Sequence, residues 1–457
     1  MKTINYYILF LPLLMLLLLF SCEKIIEVDN PINQITTDEV YQDSNTAYAA
    51  LEHLYTELQT NSIFAGGSSG FGALLGAYTD DLDFYVAPGA SDNVDIYLNQ
   101  ILPANSVVKS TWTNAYKEIY MANAIIAGVE GSSLNVQDKN KIKGEALLIR
   151  SMVYFGTFQV FGEIPYTTTT NYAVNQLLGK TSEAEMLHLL KNDTQTAVEL
   201  LSNDYRNSER IFVNKKVGQM LLANILLMQK NWTEAEQLCR QVINDSNYSF
   251  ETDIKKVFKK SGKHILFQLK PLTAATPVPE TRIYYFTSVP PLNYVLRYNL
   301  VNSFSTSDLR RSNWMTAVGT STVYFRNEKY KNITTNNDEY SVVYRLEQVY
   351  FMLAEALLQQ RKTPEAITWI NKTRQRAGIS LLSQSLDNES AFTEMLAEKR
   401  REFFAEQGQR FYDLKRLGEL DVLKFIKPNW QDYQQRWPLP VSELLLNANL
   451  KPQNENY

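Results

Sequence analysis

Apolar residues recur every three or four positions along several stretches of the chain, which is the spacing that places them on one face of an α-helix. The first stretch follows Thr36–Glu39, where a threonine hydroxyl and two acidic side chains favour a helix N-terminus. Further stretches predict helices over Trp112–Val129 and Asp138–Phe161. The pattern therefore predicts a mainly α-helical fold.

Two later pairs of helices repeat one another in their spacing. The pairs are Val217–Gln229 with Thr233–Ile243, and Glu347–Gln360 with Pro364–Arg374. In each pair an alanine of the first helix is followed by another twelve positions later: Ala235 follows Ala223, and Ala366 follows Ala354. Small residues where two helices cross let them pack closely, so the spacing resembles that of tetratricopeptide repeats. The alternative is an ordinary helical hairpin with alanines at its crossing.

Two segments, 61–110 and 246–344, break the helical pattern. The first is rich in glycine and aspartate turns, and the second contains short predicted strands at His264–Leu269 and Thr322–Phe325. Irregular segments on a rigid scaffold commonly carry function, so we expect both to face ligand, the second as a partly β insertion. Residues 37–457 are predicted to form one domain, with a helical scaffold at about 37–60, 110–245 and 345–420.

The N-terminus has the pattern of an export signal. Lys2 precedes an apolar run from Ile8 to Phe20, which is too short to span a bilayer comfortably and is typical of a signal peptide over residues 1–21. The run ends in Leu-Phe-Ser-Cys, which resembles a bacterial lipobox and predicts fatty acylation of Cys22 after cleavage. Residues 22–36 then form a tether to the fold. A plain secretory signal or a short membrane anchor is the alternative.

Composition narrows the classes of function. The net charge of −4 and the lack of a long basic run disfavour nucleic-acid binding. His53, His188 and His264 are too scattered to predict a metal site. If Cys22 is acylated, Cys239 has no partner for an intrachain disulfide, and its helical context predicts a buried residue. Many of the 27 tyrosines stand in polar, turn-rich stretches, which favours recognition of sugars or peptides.

Motifs for catalysis fit the chain poorly. Gly66–Gly70 matches G-x-S-x-G, but a helix and a polar turn come before Ser68, where a nucleophile elbow needs a strand, so a flexible Gly/Ser loop is the simpler explanation. The run containing Asp80, Asp81 and Asp83 admits a glycosidase or a calcium site, although a solvated acidic loop explains it more simply. We therefore predict a protein that binds a ligand and has no catalytic residues.

The C-terminal third carries the most specific pattern. A charged helix ends near Gly408, where glycine permits a left-handed exit, and a new helix follows. Glu402 and Glu406 are spaced to pair with nearby arginines, and Arg410 and Asp413 to bridge the turn. We interpret these residues as a locally paired structural turn without a role in ligand binding.

The same region resembles a known family. Glu398–Arg416 closely resembles a signature of the SusD/RagB family of Bacteroidota surface lipoproteins, and so does the ending at Trp437–Pro440 and Gln453–Tyr457. At the very end, Glu455 and Asn456 stand where family members often carry proline and glycine. Further matches, in the family's order, are Trp112–Asn123, Gly144–Pro165 and Leu346–Gly378.

This resemblance implies a SusD-like scaffold of four tetratricopeptide-like hairpins. It also implies a lipoprotein on the external face of the outer membrane, anchored through the lipid on Cys22. Such proteins cover a SusC-like TonB-dependent transporter and hand it oligosaccharides or, in some members, peptides. They bind without cleaving and need no cofactor. The two alternatives are a scaffold that closes the transporter without its own ligand affinity, and a surface hydrolase.

Because the family's binding loops vary, candidate ligand residues follow from their place in the two irregular segments. Aromatic rings there would stack on sugar faces, and carboxylates, an amide and a guanidinium would bond hydroxyl groups. Core packing or plain solvent exposure is the alternative for each residue. The candidates are Asp80, Asp81, Phe84, Tyr85, Asn93 and Tyr97 in the first segment, and Tyr294, Arg297 and Trp314 in the second.

Overall fold

The computed structural model describes residues 37–86 and 91–457. The predicted signal peptide, Cys22 and the tether at 22–36 lie outside the described residues. Within those two ranges, no helix is both long enough and apolar enough to cross a membrane.

Helices dominate the described part of the chain. The first nine are α1 (Thr37–Val40), α2 (Ser44–Thr60), α3 (Phe71–Tyr78), α4 (Asn93–Leu98), α5 (Ser106–Glu130), α6 (Val136–Phe161), α7 (Tyr172–Asn175), α8 (Glu183–Leu200) and α9 (Lys215–Met228). The next nine are α10 (Trp232–Ile243), α11 (Pro279–Tyr284), α12 (Tyr298–Asn302), α13 (Leu309–Asn313), α14 (Leu346–Gln359), α15 (Thr363–Arg376), α16 (Asn388–Phe403), α17 (Gln409–Leu417) and α18 (Val441–Leu446). The prediction of a mainly α fold is confirmed.

The long helices pack against one another in chain order. α5 packs on α6, α6 on α8, α8 on α9, α9 on α10, α10 on α14 and α14 on α15. The two predicted hairpins are therefore present as α9–α10 and α14–α15. Their four crossing alanines and Cys239 are fully buried, as the spacing predicted. Helix α8, by contrast, had not been predicted.

The first long helix begins later than the sequence pattern predicted. Asp43 caps α2 by accepting a hydrogen bond from the backbone N–H of Asn45 at 2.9 Å, whereas residues 37–40 form a separate helical turn. The chain bends between these helices because Tyr41 is buried against Gly128 of α5, where a side chain would collide with the tyrosine ring. A helical turn therefore begins at Thr37, close to the predicted start, but the long helix begins only at Ser44.

The two irregular segments meet in one sheet. The strands are β1 (Leu82–Phe84), β2 (Ile265–Leu269), β3 (Tyr294–Leu296), β4 (Met315–Val318), β5 (Tyr324–Asn327) and β6 (Ser341–Arg345). Four of them form an antiparallel sheet in the order β1-β3-β5-β4, and β2 pairs with β6. β1 comes from the segment predicted to be loop-rich, which also contains α3 and α4. The sheet therefore joins residues more than 200 positions apart.

A buried ion network ties this insertion to the helical scaffold. Glu402 of α16 contacts Arg310 at 3.3 Å and Arg345 at 2.6 Å, and it also pairs with Arg376. The side chains of all four residues are fully buried. Burial alone would raise the pKa of Glu402, but the three guanidinium groups hold it well below its ordinary range. These partners lie far along the chain, so the prediction that Glu402 pairs locally is wrong, whereas Asp413 does bridge the turn by pairing with Lys399 at 2.6 Å. Gly408 is left-handed, but it precedes α17, since α16 already ends at Phe403.

A different buried carboxyl makes stability depend on pH. Among the residues that the structure describes, the Glu118 carboxylate of α5 has one hydrogen-bond partner, the Ser62 hydroxyl at 3.1 Å, and burial raises its pKa from 4.5 to about 8. The folded protein therefore holds a proton that the unfolded chain releases, and this group costs stability as pH rises from about 4.5 to about 8. The free energy of unfolding in urea should fall between pH 5.5 and pH 8.5 in the unaltered protein. We expect this fall to be smaller by about 2–4 kcal/mol in Glu118→Gln.

Glu130→Gln is the matched control for this substitution. Glu130 lies on the same helix, but its carboxylate is exposed and pairs with Lys143 at the surface. Its pH dependence should follow that of the unaltered protein. Equal losses for Glu118→Gln and the unaltered protein would show that Glu118 is already ionised at neutral pH.

Candidate ligand-binding surface

Strand β1 presents alternate side chains to the core and to the surface. Leu82 is fully buried, and Phe84 stacks on Tyr294 with ring centres 4.4 Å apart. Asp83 and Tyr85 therefore point to the other side, as the two-residue period of a strand requires. Asp83 is partly exposed, and Tyr85 is 37% exposed.

The residues before β1 fix it to the C-terminal helices. Asp80 accepts a hydrogen bond from Arg410 at 3.0 Å and pairs with Arg400 at 3.2 Å, and Asp81 accepts from Arg400 at 3.0 Å. Burial would raise the pKa of Asp80, but the two arginines keep it below its ordinary range. Both aspartates are buried, so the structure excludes them from a ligand-facing surface. They position β1 instead.

Asp83 stands at the centre of a polar cluster. Its Oδ1 accepts a hydrogen bond from the Tyr97 hydroxyl at 3.1 Å and lies 3.4 Å from Nη1 of Arg297. Arg297 also donates to the carbonyl of Ile426 at 3.1 Å, and its backbone N–H donates to the carbonyl of Asp81 at 2.9 Å. These contacts bring Asp83, Tyr97 and Arg297 together from three separate elements.

A buried lysine supports this cluster from below. Nζ of Lys427 lies 4.2 Å from the centre of the Tyr97 ring and donates to the carbonyls of Ala77 and Tyr97. Burial, reinforced by the nearby Arg297, lowers the pKa of Lys427 to about 7. The amine thereby fixes the Tyr97 ring and the end of α4 in place.

Two tyrosine rings, exposed Tyr85 and partly buried Tyr324, complete the surface. Tyr324 of β5 meets Tyr85 edge to face, with ring centres 5.4 Å apart. We call Asp83, Tyr85, Tyr97, Arg297 and Tyr324 the ligand face, after the role that we propose for it below. Tyr298, which follows Arg297, is 65% exposed, and Phe425, which precedes the Arg297 partner Ile426, is 91% exposed.

The remaining predicted ligand residues have structural contacts. Asn93 donates to the Tyr294 hydroxyl at 2.7 Å and to the Ser68 carbonyl at 3.1 Å, which uses both of its amide hydrogens inside the fold. Tyr294 and Trp314 are about 1% exposed, and the Trp314 indole donates to the Ile254 carbonyl at 3.1 Å. Asn93 therefore braces the loops, whereas Tyr294 and Trp314 belong to the core beneath the sheet.

Sequence reasoning missed Asp83 and Tyr324 as ligand-face residues. The alternation of apolar and polar residues from Leu82 to Tyr85 singles out Asp83, and the predicted strand at Thr322–Phe325 contains Tyr324. Both signals were therefore available in the sequence. The pairing of the two segments in space, by contrast, could not be read from the sequence.

The ligand face combines flat rings with one carboxylate and one guanidinium on an open surface. Tyrosine rings offer an apolar face and a hydroxyl, and the charged groups bind hydroxyl or amide groups directionally. Among the described residues, no group of three or more histidine, cysteine or acidic side chains is placed to hold a metal ion. A cleft of about 560 Å³ between α16 and α17 lies elsewhere, and its Arg400 and Arg410 are ion-paired with Asp80.

Two family models match most of the chain. The model described as starch-binding and associating with the outer membrane, of the SusD-like type, matches residues 76–227. The model described as the SusD family matches residues 275–457. A SusD-like protein of Formosa agariphila is 25% identical to this chain, and the alignment covers 94% of this chain and 95% of the relative.

Solved structures share the fold over almost the whole length. A SusD superfamily protein from Bacteroides vulgatus has a TM-score of 0.79 at 20% identity, covering 91% of this chain and 100% of that one. Surface glycan-binding protein A from Bacteroides thetaiotaomicron, solved in complex with laminarihexaose, has a TM-score of 0.72 at 15% identity, covering 90% and 99%. Together with the two family models, this fold confirms the resemblance seen in the sequence: the chain belongs to the SusD/RagB family.

Proposed function

We propose that this protein captures glycans at the outer cell surface through the ligand face and delivers them to a SusC-like TonB-dependent transporter. The observation that carries the proposal is the meeting of Tyr85, Asp83 and Arg297 on one open surface. A protein of the same fold has been solved with a bound glucose hexasaccharide, laminarihexaose, which supports glycan as the ligand class over peptide.

The chemistry of the ligand face suits a sugar chain. The Tyr85 ring offers a flat platform for the apolar face of a sugar ring, and Asp83 and Arg297 bond its hydroxyl groups from one side. Because Asp83 is already hydrogen-bonded to Tyr97 and paired with Arg297, each donor and acceptor is held in position before ligand arrives. We propose that the surface binds glycan without cleaving it.

The proposal assigns anchoring and binding to separate parts of the chain. Cys22→Ala is expected to release the protein from membranes, because the acyl chain that holds it is lost, while its affinity for glycan stays unchanged. Membrane fractionation followed by native affinity electrophoresis measures both properties. Cys239→Ala is the control, since Cys239 is buried in the fold and should leave the protein in the membrane fraction. A released Cys22→Ala protein that no longer binds glycan would contradict this division.

The test of the proposed function uses residues 22–457 carrying Cys22→Ala and a panel of neutral polysaccharides. We expect the protein to migrate more slowly in native gels that contain at least one of these polysaccharides. We also expect chromatography to detect no cleavage products. Product release would identify a hydrolase.

The transporter step is tested separately: the unaltered, membrane-anchored protein should co-purify with a TonB-dependent transporter after detergent extraction. Co-purification without any glycan binding would identify a scaffold lacking ligand affinity, and failure to co-purify would refute delivery.

A further inference from the structure

A second cleft lies away from the residues of the ligand face. It has a volume of about 340 Å³ and is formed by the N-terminal half of α5, residues 165–178, and residues 443–450. Its lining includes Trp112, Tyr116, Tyr120 and Tyr172. We call it the Tyr172 cleft. Its size and its mixture of aromatic and polar lining are those of a small-molecule site.

The walls of the Tyr172 cleft are held in place by hydrogen bonds behind the lining. The Tyr116 hydroxyl donates to the Pro165 carbonyl at 2.7 Å, and the Asn175 amide donates to the Thr169 carbonyl at 2.9 Å. Across the cleft, the Asn447 amide donates to the Leu178 carbonyl at 2.8 Å. These bonds join all three segments, so the cleft is formed before any ligand binds.

Several side chains that line the cleft are exposed and available to a ligand. Tyr172 is 75% exposed and Tyr120 is 53% exposed, which is unusual for such large rings. The backbone N–H of Gln176 donates to the Tyr172 carbonyl at 3.0 Å, but its side-chain amide and the hydroxyl groups of Tyr120 and Tyr172 make no hydrogen bond within the described part of the chain. Trp112, by contrast, packs on Tyr116 with ring centres 4.7 Å apart, which fixes an aromatic floor beneath the exposed rings.

The charge of the cleft selects the class of ligand. Among the described residues, the lining includes no lysine or arginine, and its single carboxylate, Glu443, is half-buried. An anionic ligand would therefore find no cationic partner there. Aromatic faces, free hydroxyls and amides are instead the groups that recognise an uncharged sugar.

We propose that the Tyr172 cleft is a second carbohydrate-binding site, which takes a short stretch of the same neutral polysaccharide that occupies the ligand face. This inference rests on the proposed function. Two sites on one chain raise the affinity for a polymer that reaches both, because the second contact is intramolecular. The second site leaves the affinity for a short oligosaccharide at the ligand face unchanged.

The experiment compares polymer and oligosaccharide binding in the soluble Cys22→Ala protein. Tyr120→Ala combined with Tyr172→Ala should weaken retention on the polysaccharide about 5- to 20-fold in affinity electrophoresis. In calorimetry, the affinity for a short oligosaccharide should change less than twofold. Leu381→Ala, which truncates another exposed apolar side chain, is the control and should change neither value. Circular dichroism checks that each variant is folded.

Three results would overturn the inference. The first is polymer retention by the double variant equal to that of the parent protein. The second is complete loss of polymer binding when Tyr85→Ala is combined with Arg297→Ala, because the intact cleft would then bind no polymer by itself. The third requires the two tyrosine substitutions in the membrane-anchored protein: a variant that keeps all glycan affinity but no longer co-purifies with the transporter would make the cleft a protein contact. A parent protein that binds no glycan would instead refute the proposed function.

Discussion

Replacing Glu402 by glutamine is expected to lower the free energy of unfolding by about 3–5 kcal/mol. Glu402 is the shared carboxylate of Arg310, Arg345 and Arg376, and none of these side chains reaches solvent. Glutamine keeps the size of the side chain but removes its negative charge. The three guanidinium groups would then remain buried with too little negative charge around them, which is costly in a low-dielectric interior.

Unfolding in urea at pH 7, followed by circular dichroism, measures this loss. Glu394→Gln is the matched control because it lies on the same helix, α16, and is 43% exposed beside Arg374 and Arg401. We expect it to change stability by less than about 0.5 kcal/mol. A Glu402→Gln protein within 1 kcal/mol of the parent would show that the network contributes little to the stability of the fold.

The second large effect concerns binding. Tyr85→Ala is expected to weaken the affinity for glycan about 10- to 30-fold, because it removes the exposed ring beside Asp83 and Arg297 on which a sugar would stack. Tyr85 is partly exposed and meets Tyr324 only at the ring edge, so the fold should tolerate the change.

Calorimetric titration with an oligosaccharide of the preferred polysaccharide measures the affinity. Tyr85→Phe is the control, since it keeps the ring and removes only the hydroxyl, and it should bind within about threefold of the parent. If Tyr85→Ala binds as tightly as Tyr85→Phe, the ring is not a contact and the ligand face is wrongly located.

The helical scaffold was predictable because its signal is local. Ala223 with Ala235 and Ala354 with Ala366 lie within single hairpins, so spacing along the chain reports their contact. Helix α8 was missed although Ser182 caps it, because its buried face includes Thr194 and weakly apolar Ala197. A narrow apolar stripe of this kind is easily lost among polar residues.

The ligand face was predictable only in part because it depends on distant pairing. The sequence assigned Tyr85, Tyr97 and Arg297 to two segments expected to face ligand, but it did not show that the segments share a sheet or that Asp80 and Asp81 are buried. Asp80 is buried because Arg400 and Arg410, more than 300 positions later, reach it from the C-terminal helices. The local sequence does not distinguish a solvated carboxylate from a buried one that pairs with an arginine distant along the chain.

The charged helix near Glu402 shows the same limit. Its run of acidic and basic residues is typical of a solvated surface, yet Glu398 and Glu402 are fully buried. Arg310 and Arg345 supply the partners, and both stand in or beside the irregular insertion. The charge pattern alone predicts ion pairs within the helix, whereas in the structure these charges join the helical scaffold to the irregular insertion.

A crystal structure of the soluble Cys22→Ala protein with an oligosaccharide of the preferred polysaccharide tests the central claim most directly. We predict a sugar ring stacked on Tyr85, with hydroxyl groups within hydrogen-bonding distance of Asp83 and Arg297. Sugar bound only at other residues, with the ligand face empty at a saturating concentration, would contradict the account.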